Sequence, residues 1–136
     1  MMDHKLVLSS RHITQMEAHV NRCSPEEGCG LLAGTGQRVE LTIPITNQLH
    51  SPVRYNMEPK ELVRAFYDLE ARGFEMLASF HSHPNGPVTP SETDIREFAY
   101  PGTFMLIWSR AGSGWQVKGF EVFTNTYHEI ELRITD

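Results

Sequence analysis

Apolar positions recur along the chain with two periods, and the changes between them mark out the elements. Residues 5–8 read as a short opening strand. Ser9 or Ser10 can then cap a helix in which Ile13, Met16, Val20 and Cys23 follow at helical spacing until Pro25 stops it. Residues 27–36 (EGCGLLAGTG) are glycine-rich and end in a turn. Residues 38–46 alternate through Val39, Leu41, Ile43 and Ile45, which predicts a strand paired with that segment as a hairpin. Glycine inside a strand signals a bulge or a close backbone approach, so something is expected to pack tightly there. Residues 47–56 form a polar connection containing Pro52, readable as a mobile flap or as a fixed edge. A helix is predicted over 59–72 with Leu62, Phe66 and Leu69 inward and Gly73 ending it. A strand buried on both faces follows over 74–83. A short helix over 91–99, broken by Pro101-Gly102, precedes strands over 104–108, 115–123 and 127–134. The order β α β β α β α β β β predicts one mixed α/β domain over residues 1–136, an antiparallel-rich sheet flanked by about three helices.

Composition narrows the function classes. With 136 residues, 40% hydrophobic and 21% charged, the chain is long enough for a core of its own and too apolar for disorder. A formal charge of −5 offers no basic stripe, which argues against nucleic acid as a partner. The apolar runs at 76–78 and 104–108 are too short to span a bilayer, and the N-terminal MMDHKLVLSS has no signal-peptide core, so no membrane partner is expected. Cys23 and Cys29 sit too close together for a useful staple and form no CxxC pair, consistent with a reducing, cytoplasmic location. His12 and His19 lie seven residues apart on one helix and receive no role. A phosphate-cradling reading of the glycines lacks both GxGxxG and GK[ST].

The candidate chemistry sits in residues 80–94, FHSHPNGPVTPSETD. On a strand, alternate side chains share a face, so His81 and His83 make a two-point chelate, which a helix would splay apart. Pro84 and Gly86 turn the chain back, and Asp94, in the first turn of the following helix, can supply an oxygen ligand. Two imidazoles and a carboxylate with one position open suit catalytic zinc, whose bound water becomes a nucleophile near neutral pH. Two other readings stand beside this one. S-x-x-D ahead of Ile95 and Phe98 is the capping-box pattern, and HxH can be a pair of satisfied histidines at a strand end. Capping explains neither histidine, and a cap hydroxyl beside a metal can still donate to substrate.

The stretch HSHPNGPVTPSETD resembles the JAMM (MPN-plus) metalloprotease signature, HxHP followed by six residues and SxxD, with His81, His83, Pro84, Ser91 and Asp94 filling its positions. The upstream Glu27-Gly28-Cys29-Gly30 is similar to that family's E-x-x-G strand, and the preceding helices sit in the family's order. The resemblance implies a JAMM/MPN fold with a cytidine-deaminase-like core and one Zn2+ held by His81, His83 and Asp94 with a water as fourth ligand. It implies Glu27 as general acid/base and Ser91 as donor to the oxyanion. It further implies hydrolysis of a peptide or isopeptide bond at the C-terminal Gly-Gly tail of a ubiquitin-like or sulfur-carrier protein, as in compact prokaryotic members. A non-catalytic MPN-type scaffold and the JAMM-like domain of DNA-repair-associated proteins are the alternatives. The first typically loses ligands that this chain keeps, and the second has HNHPSG where Ser82 and Asn85 depart. Zinc deaminase chemistry lacks both HxE and PCxxC. Cys29, on the same strand face as Glu27, is expected to be a small buried thiol.

Overall fold

The computed structural model describes residues 4–136; the first three residues, on which part of the N-terminal reading falls, lie outside the described residues. The elements run β1 (Lys5–Ser9), α1 (Ser10–Cys23), β2 (Cys29–Thr35), β3 (Arg38–Ile45), α2 (Pro59–Ala71), β4 (Glu75–His83), α3 (Glu92–Arg96), β5 (Phe104–Ala111), β6 (Gly114–Phe123) and β7 (Thr126–Thr135). Ser9 is the residue that caps α1: its hydroxyl accepts from His12 N, while the His12 ring takes the Ser9 N–H at 3.1 Å. At the start of α2, Glu58 accepts from Lys60 N and Glu61 N ahead of Pro59. No helix among the described residues is long and apolar enough to cross a membrane.

The sheet corrects the expectation of an α/β layer flanked by helices. Its strands run β1-β3-β2-β4-β5-β6-β7 and close into a barrel, a sheet-dominated fold of mixed strand direction with three short helices against it. Closure comes from β1, which pairs in parallel with β7 from Lys5↔Glu131 to Ser9↔Thr135 and meets β3 at Val7↔Arg38. These contacts join the two ends of the chain. They leave no trace in local periodicity, whereas the hairpins β2/β3, β5/β6 and β6/β7 do. Pairing the first strand with the last also removes the sheet edges that an open layer would expose.

Alternation along the strands sorts the core into two faces. On one, Met16 and Val20 of α1 pack with Leu32, Phe80, Leu106 and Trp108. On the other, Cys29, Leu31 and Ile45 meet Ala65 of α2, and Met105, Ile107 and Phe120 meet Phe98 beyond α3. Phe98 leaves the helix to make that contact, so α3 ends at Arg96 and not near Ala99. Between β2 and β4 the register passes from Leu32↔Ala78 to Ala33↔Met76, which makes Leu77 an extra residue in β4. The bulge puts Leu77 and Ala78 consecutively on the α1 face. From there Phe80 continues on that face, and His81 and His83 point to the other, beside α2 and α3.

The expected close approach at the strand glycines is present. A Cβ on Gly30 would overlap the Phe80 ring and the Ile43 carbonyl oxygen, and one on Gly34 would overlap the Arg38 carbonyl at the register shift between β2 and β3. Gly30 therefore lets β2, β3 and β4 close around Phe80, one residue from the histidines.

Candidate metal centre

The C-terminal end of β4 holds both histidines in the middle of the sheet, with His81 opposite Cys29 on β2 and Ile107 on β5. His81 is fully buried and His83 nearly so, at 0% and 7% exposure. Their Nε2 atoms lie 3.1 Å apart, and Asp94 Oδ2 is 3.1 Å from the first and 3.0 Å from the second. His83 Nδ1 is 2.7 Å from the Pro87 carbonyl oxygen, which can only accept, so Nδ1 carries the proton and the Nε2 lone pair faces Asp94 and His81. The turn behind it is pinned by Ser109, whose hydroxyl donates to Gly86 O at 2.6 Å.

Ser91 and Asp94 form the capping box that their spacing suggested. Asp94 N donates to Ser91 Oγ at 3.0 Å, and Ser91 N donates to Asp94 Oδ2 at 2.9 Å. The oxygen held by the cap is the same one that meets both imidazoles, so the cap orients the carboxylate toward the histidines. The Ser91 hydroxyl proton is not used in that bond.

Glu27 sits just ahead of β2, not within the strand as expected. The ladder to β4 ends at Gly28, where Ser82 N donates to Gly28 O at 3.0 Å and Gly28 N donates to Ser82 Oγ at 2.8 Å. Glu27 is buried, and each of Glu27, His81 and His83 brings a ligand atom within 4.8 Å of the others. Burial pushes its carboxyl from 4.5 up to about 8, with the nearby Asp94 charge raising it and His83 opposing. Burial would also raise Asp94, but its hydrogen bonds to His81 and His83 hold it well below the usual carboxylate range. Desolvation lowers His81. For His83 burial works downward too, but Asp94 and the Pro87 carbonyl outweigh it and raise the ring.

Two imidazole lone pairs and a carboxylate oxygen crowded to 3.0–3.1 Å need a shared proton or a cation between them. Nitrogen, nitrogen and carboxylate oxygen are a donor set that fits a divalent ion such as zinc. Asp94 and Glu27 both come near enough to complete it. Asp94 touches both rings, while Glu27 approaches from the β2 side.

Neighbouring residues fall as follows. Glu26 is half-buried and pairs with His50 at 3.1 Å, apart from the cluster. Cys29 is fully buried, its Sγ donates to Ile45 O at 3.4 Å, and burial pushes the thiol up to about 12, which makes it a packing residue and no nucleophile. His19 binds the Cys29 carbonyl at 3.0 Å, and His12 serves the α1 cap.

The sequence left residues 47–56 open between a mobile flap over the site and a fixed edge, and gave none of them a part in the site. Tyr55 stacks on His81 with ring centroids 4.4 Å apart and 25° between planes. Asn47 is buried, and Arg54 reaches Glu97 beyond α3 at 2.9 Å. A cavity of about 250 Å³ opens between this loop and α3, lined by Tyr55, Met57, Leu62, Ser79, Asp94 and Phe98. The segment thus walls the site. The turn-forming Asn47 was the one local signal available, since its Oδ1 accepts from Leu49 N two residues on.

A family model described as prokaryotic homologs of the JAB domain matches residues 9–123. The chain belongs to this family. It is 43% identical over 86 residues to a protein of Thermus thermophilus named "Probable TtuB-protein conjugate cleaving protease", covering 62% of this chain and 57% of that one. The chain thus spans little more than half the length of that relative. Across 134 residues it is 26% identical to the "CysO-cysteine peptidase" of Mycobacterium tuberculosis, covering 96% of this chain and 92% of that one. Among solved structures, a protein from Desulfitobacterium hafniense superposes with a TM-score of 0.86 at 32% identity, over 96% of this chain and 93% of that one. A structure described as a JAMM metalloprotease-like zinc site superposes with a TM-score of 0.62 over 96% of this chain and 98% of that one. At 18% identity that likeness shows the fold alone.

Proposed function

We propose that the chain is a zinc-dependent peptidase that hydrolyses a peptide or isopeptide bond after the C-terminal Gly-Gly of a ubiquitin-like or sulfur-carrier protein. The observation that carries this reading is the convergence of His81 Nε2, His83 Nε2 and Asp94 Oδ2 within 3.1 Å, with the buried Glu27 facing the same two imidazoles. The relatives named as a conjugate-cleaving protease and a CysO-cysteine peptidase support the substrate class.

In this reading His81, His83 and Asp94 hold the ion. Asp94 takes the third place because it contacts both rings and is aimed by the Ser91 cap. Zinc, when bound, supplies Lewis acidity to a water molecule and to the scissile carbonyl. Glu27 takes the proton as water adds to the carbonyl carbon and hands it to the departing amine as the C–N bond breaks. Burial raises this carboxyl to about 8 in the metal-free protein, and a divalent cation held beside it would lower it, favouring the carboxylate that the first step needs. The Ser91 hydroxyl donates to the oxygen that becomes negative in the tetrahedral intermediate. Tyr55, lying flat on His81, and Ser79 wall the cleft.

The test is hydrolysis of a ubiquitin-like carrier joined through Gly-Gly to a fluorescent lysine peptide. The protein as purified should contain about one zinc per chain. Cleavage should stop with a chelator and return with zinc. A zinc-loaded protein inert toward a panel of such carriers would refute the assignment.

A further inference from the structure

Glu27 lies outside the barrel's hydrogen-bond ladder, so the strands do not fix its backbone. The last ladder bond on that side of β2 is Ser82 N to Gly28 O. A buried peptide group needs partners, and those of Glu27 both come from the loop after β3. Its N–H donates to Ser51 O at 2.8 Å, and its carbonyl oxygen accepts from Asn47 Nδ2 at 3.0 Å. Asn47 is 5% exposed, and its carboxamide has all of its principal hydrogen-bonding positions filled. Nδ2 also donates to Arg54 O at 3.0 Å, and Oδ1 accepts from Leu49 N and Asn56 N, each at 3.1 Å. One side chain therefore ties the Glu27 backbone to both ends of the loop that carries Tyr55.

We propose that Asn47 is a positioning residue for Glu27, holding its backbone so that the carboxylate faces the His81, His83 and Asp94 cluster. The inference rests on the reading of Glu27 as acid/base. It predicts a division of effects: loosening Asn47 shifts Glu27 and leaves the β4 and α3 residues in place, because these are held by Pro87 O, the Ser91 cap and the β4/β5 ladder.

Asn47→Asp separates the roles, since it keeps the shape and both acceptor bonds and removes the two N–H donors. In the full chain, amide exchange at Glu27 should speed up at least ~10-fold, the size of one net hydrogen bond, with Ser82 unchanged. Zinc affinity, read by competition with a chromophoric chelator, should stay within about threefold. On the Gly-Gly-linked fluorescent carrier, kcat should fall roughly 30–100-fold with KM unchanged, as a catalytic group displaced by about 1 Å would cause. Asn47→Ser, which introduces no buried charge, serves if the aspartate variant does not fold. Unchanged exchange at Glu27, or a loss of kcat matched by loss of zinc, would overturn the proposal. A wild type inert toward the probe would refute the proposed function instead, and the exchange measurement would still decide the positioning role.

Discussion

Replacing Glu27 by glutamine should make the metal-free protein more stable at alkaline pH while removing the group proposed to move the proton. Glu27 is 4% exposed, and burial drives its carboxyl from 4.5 to about 8. A carboxyl whose folded value lies above its unfolded one favours the protonated form in the fold. Its stabilising contribution is full below pH 4.5 and is lost as pH rises toward about 8. At ~1.4 kcal/mol per pH unit the ceiling of that loss is about 5 kcal/mol. Water entering the cleft and adjustment of residues 47–57 reduce it, leaving ~2–3 kcal/mol. Glutamine keeps the shape and carries no charge. In chelator, Glu27→Gln should match the wild type at pH 5 and exceed it by ~2–3 kcal/mol at pH 8.5, or about 8–10 °C in Tm for a chain of this size. Urea denaturation followed by circular dichroism at the two pH values, with the slope unchanged, reads the difference. A variant no more stable than the wild type at pH 8.5, or equally stabilised at both values, would refute the reasoning.

Other substitutions probe the remaining parts of the account. Asp94→Ala and His81→Ala should each weaken zinc binding by at least ~100-fold, measured by chelator competition, because the donor set falls to two. Tight binding unaffected by both would remove the ligand assignment. Gly30→Ala should cost ~3 kcal/mol, at the upper end of overpacking, since its new methyl meets the Ile43 carbonyl as well as the Phe80 ring and the carbonyl cannot rotate away. An unchanged urea midpoint would contradict the close approach of β2, β3 and β4.

Much of this was legible because it is local. The order of elements, the Ser9 and Ser91 caps and the shared face of His81 and His83 follow from spacing over a few residues, and the structure brings His83 and Asp94 to 3.0 Å across one turn. Closure of the barrel was not legible. It depends on β1 lying beside β7 in parallel, a pairing of chain ends that no short window encodes. The length of α3 was overestimated because Phe98 continues the helical apolar spacing while its partners Met105, Ile107 and Phe120 draw it out of the helix. The same limit hid the contacts of residues 47–57. Their composition reads as a polar connection, yet Asn47 bonds to Glu27, 20 positions earlier in the chain, and Tyr55 lies on His81. A turn-forming asparagine is visible in sequence; its partner across the fold is not.

The most direct test of the central claim is single-turnover hydrolysis of the Gly-Gly-linked carrier by zinc-loaded Glu27→Gln beside zinc-loaded wild type. The account predicts that the variant retains about one zinc per chain and loses at least ~100-fold in rate, as removal of a general base does. A zinc-loaded Glu27→Gln that cleaves at the wild-type rate would contradict it.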